Sequence, residues 1–252
     1  MSAASELEIK RLRELALRAA YTGQAAFTRF LEPPMEREAL AAAAAAGVHA
    51  AFFGGYPDAE RRIAAFCADE APAEADYPLA CLELRWNPKY ACPGHRDLLG
   101  AVMGLGVDRD TTGDIVLAGE GLAYLFCLAG MEEAVTTELD SAGRAKLRLS
   151  RHEGEVVCPE PEGQRRRITL ASQRLDAFVS AGYDLSRSEA QKRINAGLVK
   201  LNHLPNQRTD AHVEAGDLIS VRGSGRMKVE EILGQTRRGR LAAQIFQYGG
   251  SK

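Results

Sequence analysis

The stretch Ser186-Arg187-Ser188-Glu189-Ala190-Gln191-Lys192-Arg193-Ile194-Asn195-Ala196-Gly197-Leu198-Val199-Lys200-Leu201-Asn202 spells a short helix, its stop and the strand that follows. Ser186 carries the side chain of an N-cap, and Glu189 at the third helical position completes a Ser-x-x-Glu capping box. Ala190 and Ile194 are four residues apart and share one face, suited to a core, while Ser188, Gln191 and Lys192 fall on a polar arc. Gly197 ends the helix, and Leu198 to Asn202 alternates in the manner of a strand. A small α+β unit is the implied architecture.

Working outward, Leu170 to Ala181 fits an amphipathic helix with Leu175, Phe178 and Val179 turned inward, and Gly182 allows the turn after it. On the other side, Gly216-Asp217 supplies a turn, Leu218 to Val221 another strand, and Gly223-Ser224-Gly225 a link to Met227 to Ile232. Two short helices thus lean on a curled antiparallel sheet. The polar arc offers cations and amide donors to a phosphate backbone. Arg187 stands in the first helical turn, where the helix dipole disfavours a cation, so an anionic ligand explains it better than helix stability does. Lys200, Arg222, Arg226 and Lys228 extend the basic surface along the sheet, and Arg237-Arg238-Gly239-Arg240 adds a basic segment.

Charge separates this region from the rest. The chain has 252 residues, 46% hydrophobic and 26% charged, the composition of an ordinary globular protein. Residues 1–163 carry 16 Lys and Arg against 26 Asp and Glu, a net of −10, whereas residues 164–252 carry 16 against 8, a net of +8. Such asymmetry suggests a module that meets nucleic acid or an anionic surface, attached to a body of different character. No apolar run is long enough for a membrane span. The charged N-terminal segment Ser5 to Leu12 lacks the apolar core of a signal peptide, which favours the cytoplasm. Five cysteines without any C-x-x-C pair fit reduced, packed thiols. The five histidines have no ligand spacing, so neither a metal nor any other cofactor is expected.

Upstream, residues 1–75 read as a helical domain: Ile9, Leu12, Ala16 and Ala19 mark one helix face, Met35 to Ala46 a second helix stopped by Gly47, and Glu60 to Glu74 a third. Phe52-Phe53 fits a core contact. Residues 76–151 follow the order βαββαβ, with strands at Leu79 to Trp86, Ile115 to Leu117, Leu122 to Leu128 and Lys146 to Leu149, and helices at Leu98 to Leu105 and Met131 to Leu139. That is the ferredoxin-like arrangement shared by RNA-recognition domains and many unrelated proteins. Glu120 to Cys127 partly matches the RNP-type strand, but an acid stands where a base is usual, so Tyr124 fits a core or a partner-facing position better than a stacking platform. His95-Arg96-Asp97 spells a kinase tripeptide without the phosphate loop or metal-binding motif that phosphoryl transfer needs, and fits a polar helix entry. Residues 152–167, with Pro159-Glu160-Pro161-Glu162-Gly163, form a semi-extended linker, and the last domain runs from 168 to 252.

Four separated motifs, Arg174-Leu175-Asp176, Ser186-Arg187-Ser188-x-Ala190, Gly197 to Asn202 and Gly216 to Val221, closely resemble the RNA-binding domain first defined in ribosomal protein S4. The chain departs from that pattern at Asn202-His203, where Asn-Gly is usual. With the motif positions added, the candidate RNA-binding residues are Arg174, Ser186, Arg187, Ser188, Gln191, Lys192, Lys200, Asn202, Arg222, Arg226 and Lys228. Together with the helical and βαββαβ segments, the latter entered through His95 to Gly106 and running on through Asp114-Ile115, the whole resembles the YlmH-like family. The resemblance implies a cytoplasmic protein, and a monomer that is not an enzyme and meets no membrane is expected. Its partners would be structured RNA, ribosomal and also transfer RNA, on a large ribosomal subunit carrying a stranded peptidyl-tRNA, in ribosome-associated quality control. The competing reading is an RNA-modifying enzyme. A pseudouridine synthase needs its Asp in a larger mixed sheet, whereas Asp176 lies in the module's first helix. A methyltransferase needs a Gly-rich turn after a strand, whereas Gly104-x-Gly106 follows a helix.

Overall fold

In the computed structural model, which describes residues 3–57, 59–156, 158, 163–235 and 239–249, helix α1 (Ala3–Thr22) is followed by strand β1 (Ala26–Leu31), helix α2 (Pro33–Ala46) and strands β2 (His49–Phe53) and β3 (Arg62–Cys67). The α+β class holds, but the first segment is not all helical. Its strands form an antiparallel sheet in the order β1-β3-β2. The helix expected over Glu60 to Glu74 is instead largely strand β3. This central strand is buried on both faces, with Ile63, Ala64, Ala65 and Phe66 fully enclosed, and an unbroken apolar run does not distinguish strand from helix by its period. Helix α2 has the expected stop at Gly47, at φ +70°.

Next come β4 (Leu79–Arg85), α3 (His95–Gly104), β5 (Thr112–Gly119), β6 (Leu122–Leu128), α4 (Glu132–Glu138), a two-residue-stranded hairpin β7 (Ser141–Ala142) and β8 (Ala145–Lys146), and β9 (Arg148–Arg151). The four long strands are ordered β5-β6-β4-β9, which is the ferredoxin-like pattern. Ala80, Leu82, Leu84, Ala123 and Leu125 face α3 and α4. The other face of this sheet meets the first one, since Tyr124 and Phe126 share a core with Phe30, Ile63 and Ala65. The unit Met1–Pro159 is therefore four layers deep: helices, sheet, sheet, helices. Gly113 allows the sheets to approach, because a Cβ there would lie 2.6 Å from the Phe30 ring. At the seam the half-buried Asp114 accepts hydrogen bonds from Tyr56 Oη (2.9 Å) and the backbone N–H of Glu60 (2.6 Å). Burial raises its carboxyl above the usual range, against the opposing pull of these bonds.

The second unit, Glu160–Lys252, contains β10 (Gly163–Leu170), α5 (Leu175–Gly182), α6 (Arg187–Asn195), β11 (Val199–Leu201), β12 (Leu204–Pro205), β13 (Leu218–Val221), β14 (Gly225–Gln235) and β15 (Leu241–Tyr248). They form one six-stranded sheet, β10-β15-β14-β13-β11-β12. Residues 163–167, which composition assigns to the linker, belong to β10 and pair with Gln244 to Tyr248. Three consecutive arginines hide a strand whose partner lies about eighty residues away. For the same reason the helix expected from Leu170 begins only at Leu175. Pro159 to Glu162 lie outside the described residues, as do Arg237 and Arg238. No helix among the described residues is long and apolar enough to cross a membrane.

Candidate nucleic-acid interface

Helices α5 and α6 pack on one face of the C-terminal sheet through Leu175, Phe178, Val179, Ala190 and Ile194, which meet Val199, Ile219, Met227 and Ile245. Ser186 caps α6, its Oγ accepting from Glu189 N–H at 3.2 Å. The other half of the expected capping box is replaced: the Glu189 side chain pairs with Arg193 (3.3 Å), whose Nη1 donates to Ser224 Oγ at 2.7 Å and ties the helix to the β13–β14 turn.

The chemistry of this face centres on Asp176, one residue into α5 and fully buried. Its carboxylate accepts from Arg174 Nε (3.1 Å) and Nη2 (3.2 Å), from Arg187 Nε and Nη2 (both 3.3 Å) and from Gln191 Nε2 (2.9 Å). Burial pushes the carboxyl pKa up, but the three side-chain donors outweigh that and hold it at about 2. An ionised carboxylate out of contact with water is tolerable only with such partners. Arg187 therefore has an internal anion at the start of α6, and its place there does not require a bound ligand. The pairing uses Nε and Nη2 of each arginine. Both guanidinium groups remain partly open to solvent, Arg187 at 49%, and Ser188 and Lys192 are exposed beside them.

The structure does not bring the other sequence candidates to this face. Strand alternation sends Val199, Ile219, Val221, Met227 and Val229 inward, so Lys200, Arg226 and Lys228 project from the opposite side of the sheet. Arg222 is exposed just beyond β13. Asn202 is engaged within the fold: its Nδ2 donates to Asp217 (2.7 Å) and its Oδ1 accepts from Leu218 N–H (2.9 Å). Asn202 and His203 both adopt left-handed backbone, at φ +49° and +67°, so the two-residue hairpin turn survives the replacement of the usual glycine. Asp176 stands in the first motif of the resemblance, but sequence reasoning assigns it no role at the site. Its signal was an acid one residue into an otherwise apolar helix.

In the other unit, Tyr124 and Phe126 are buried between the two sheets. The part of the sheet that carries the RNP-like strand is thus covered by β1 and β3. Of the core and partner-facing positions that its sequence context allows, Tyr124 takes the core one.

Comparisons with known proteins cover most of the chain. Residues 4–71 match the family described as "YlmH, N-terminal", residues 72–155 the one described as "Putative RNA-binding domain in YlmH", and residues 173–219 the S4 domain. The Bacillus subtilis (strain 168) protein named ribosome-associated protein quality control protein P2 is 34% identical over 213 residues, which span 84% of this chain and 82% of that one. The chain belongs to the YlmH family. A solved structure titled cell division protein ylmH from Streptococcus pneumoniae shares the fold, at a TM-score of 0.51 and 20% identity over 61% of this chain and 93% of that one. As a YlmH family member, the chain carries its S4 match on α5, α6 and the strands up to β13, whereas β10, β14 and β15 lie outside the matched residues.

Proposed function

We propose that this protein binds structured RNA through the α6 face of its C-terminal unit and acts on the ribosome, at a large subunit that retains peptidyl-tRNA. The observation that carries the reading is the pair of arginines gathered by Asp176 at the start of α6, beside exposed Ser188 and Lys192, in the half of the chain with net charge +8. Guanidinium groups fixed at one edge and open at the other suit the fork geometry of phosphate. The name of the Bacillus relative supports a quality-control setting, and the protein would act there as a cytoplasmic monomer. The acidic unit, at net −8 over residues 1–159, is repelled by RNA and would supply shape-specific contacts after the basic unit has docked.

Co-sedimentation of the tagged protein with ribosomal particles, followed by cryo-electron microscopy of the recovered fraction, tests this. The expected result is density for the α6 face on RNA of a large subunit that carries a tRNA. Recovery with free protein only, or density that places the acidic unit alone against RNA, would overturn it.

A further inference from the structure

The six-stranded sheet has a second face, turned away from α5 and α6. Arg165 and Arg167 stand on this side of β10, Arg226 and Lys228 on β14, and Phe246 and Tyr248 on β15 between them. Arg226 lies over Tyr248, its guanidinium carbon 5.2 Å from the ring centroid, and Arg165 over Phe246 at 5.6 Å. The two rings meet edge to face with centroids 5.0 Å apart. Glu230 holds Arg165 from the side at 3.0 Å. Two arginine–aromatic pairs thus sit next to each other on a rigid sheet.

We propose that this face is a second RNA surface, which takes an unpaired strand by stacking its bases on arginines supported by aromatic rings. It rests on the RNA-binding reading of the unit and adds a site on the other side of the sheet. Charges on an edge strand discourage pairing with other chains, which would account for the arginines of β10 but not for Arg226 and Lys228 on the interior strand β14. A ring beneath a guanidinium steadies its plane, and that plane is a stacking surface for an exposed base. A protein carboxylate would instead bond the edge of the guanidinium, as Glu230 does with Arg165, and would leave its plane unused. Lys228 and Arg167, flanking the pairs, supply the charge that tracks a phosphate backbone.

The experiment uses the full-length protein and two RNAs, a blunt hairpin and the same hairpin with a short unpaired 3′ extension containing 2-aminopurine. The extension is expected to tighten binding about 10-fold for each stacked base and to change the fluorescence of the probe base. Arg226→Lys keeps the charge and loses the plane, so it should abolish that gain and the fluorescence change while leaving blunt-hairpin affinity and its salt dependence intact. Arg165→Ala with Arg167→Ala should do the same and lower the salt slope for the extended RNA. Lys192→Ala should weaken both hairpins equally. Equal wild-type affinity for the two RNAs overturns the second surface and leaves the α6 reading standing. Equal losses on both RNAs in the Arg226→Lys protein overturn it in favour of one continuous duplex site. A gain in affinity for both RNAs in the outer-face variants overturns it in favour of the chain's own acidic unit as occupant. Binding to neither RNA by the wild type removes both readings together.

Discussion

At the residue scale, the carboxylate of Asp176 has two tasks, since it anchors α5 to α6 and aims Arg174 and Arg187 outward. Its folded pKa of about 2 lies below the ordinary value of 3.8. Stability from this group is therefore present above pH ~4 and lost as pH falls toward 2, a contribution of about 2 kcal/mol. Acid titration of the melting temperature should show this loss in the wild type, and it should be absent from Asp176→Asn. At neutral pH, Asp176→Asn should cost about 2–3 kcal/mol, as hydrogen bonds to a charged group are lost, and should weaken RNA binding although the residue never reaches solvent. Unchanged RNA affinity in a folded Asp176→Asn protein would show that Arg174 and Arg187 bind without its guidance. His203 gives a smaller and opposite effect. A side chain at φ +67° is strained where glycine is not, so His203→Gly should raise stability by about 0.5–1 kcal/mol, visible as a higher melting temperature.

The element that sequence describes best is α6. Its cap, its buried Ala190 and Ile194 and its stop at Gly197 are local features, and local features survive translation from sequence to structure. Two substitutions on it should separate binding from folding. Lys192→Ala, on the exposed arc, should leave stability within about 0.5 kcal/mol and reduce the slope of log affinity against log salt by about one. Ile194→Ala, fully buried, should cost about 2–5 kcal/mol through the cavity it leaves. Arg187→Ala should do some of each, because its guanidinium holds Asp176 as well as facing solvent. Differential scanning calorimetry beside a salt series of filter binding distinguishes the three. Elements defined by distant partners were less legible. Strand β3 is enclosed on both faces and loses the alternation that marks a strand, and β10 is disguised by Arg165 to Arg167. Alternation places Lys200 and Lys228 on a face away from α6 once the sheet exists, but the sequence alone does not say which strands compose that sheet.

At the scale of the whole molecule, the charge split of −10 and +8 and the division into two units fall at nearly the same place, yet the structural boundary lies before β10 rather than at Ile168. The position of the cut has consequences. A fragment of residues 160–252 keeps every strand of the six-stranded sheet and should melt in one cooperative transition. A fragment of 168–252 loses the pairing of residues 163–167 with Gln244 to Tyr248 and should melt about 10 °C lower or more, the shift that roughly 2 kcal/mol produces in a unit of this size. The 160–252 fragment then isolates the effect of the acidic unit on RNA binding. Freed from a body of net −8, it should bind a hairpin RNA more tightly than the full chain at low salt. The advantage should fade as the Debye length contracts from about 30 Å at 0.01 M salt to about 10 Å at 0.1 M. The same fragment should lose preference for ribosomal particles over free RNA, because the acidic unit can add selectivity only through shape. Equal low-salt affinity of fragment and full chain, with particle preference retained by the fragment, would mean that the acidic unit neither repels RNA nor selects the particle, and the basic unit would then account for recognition alone.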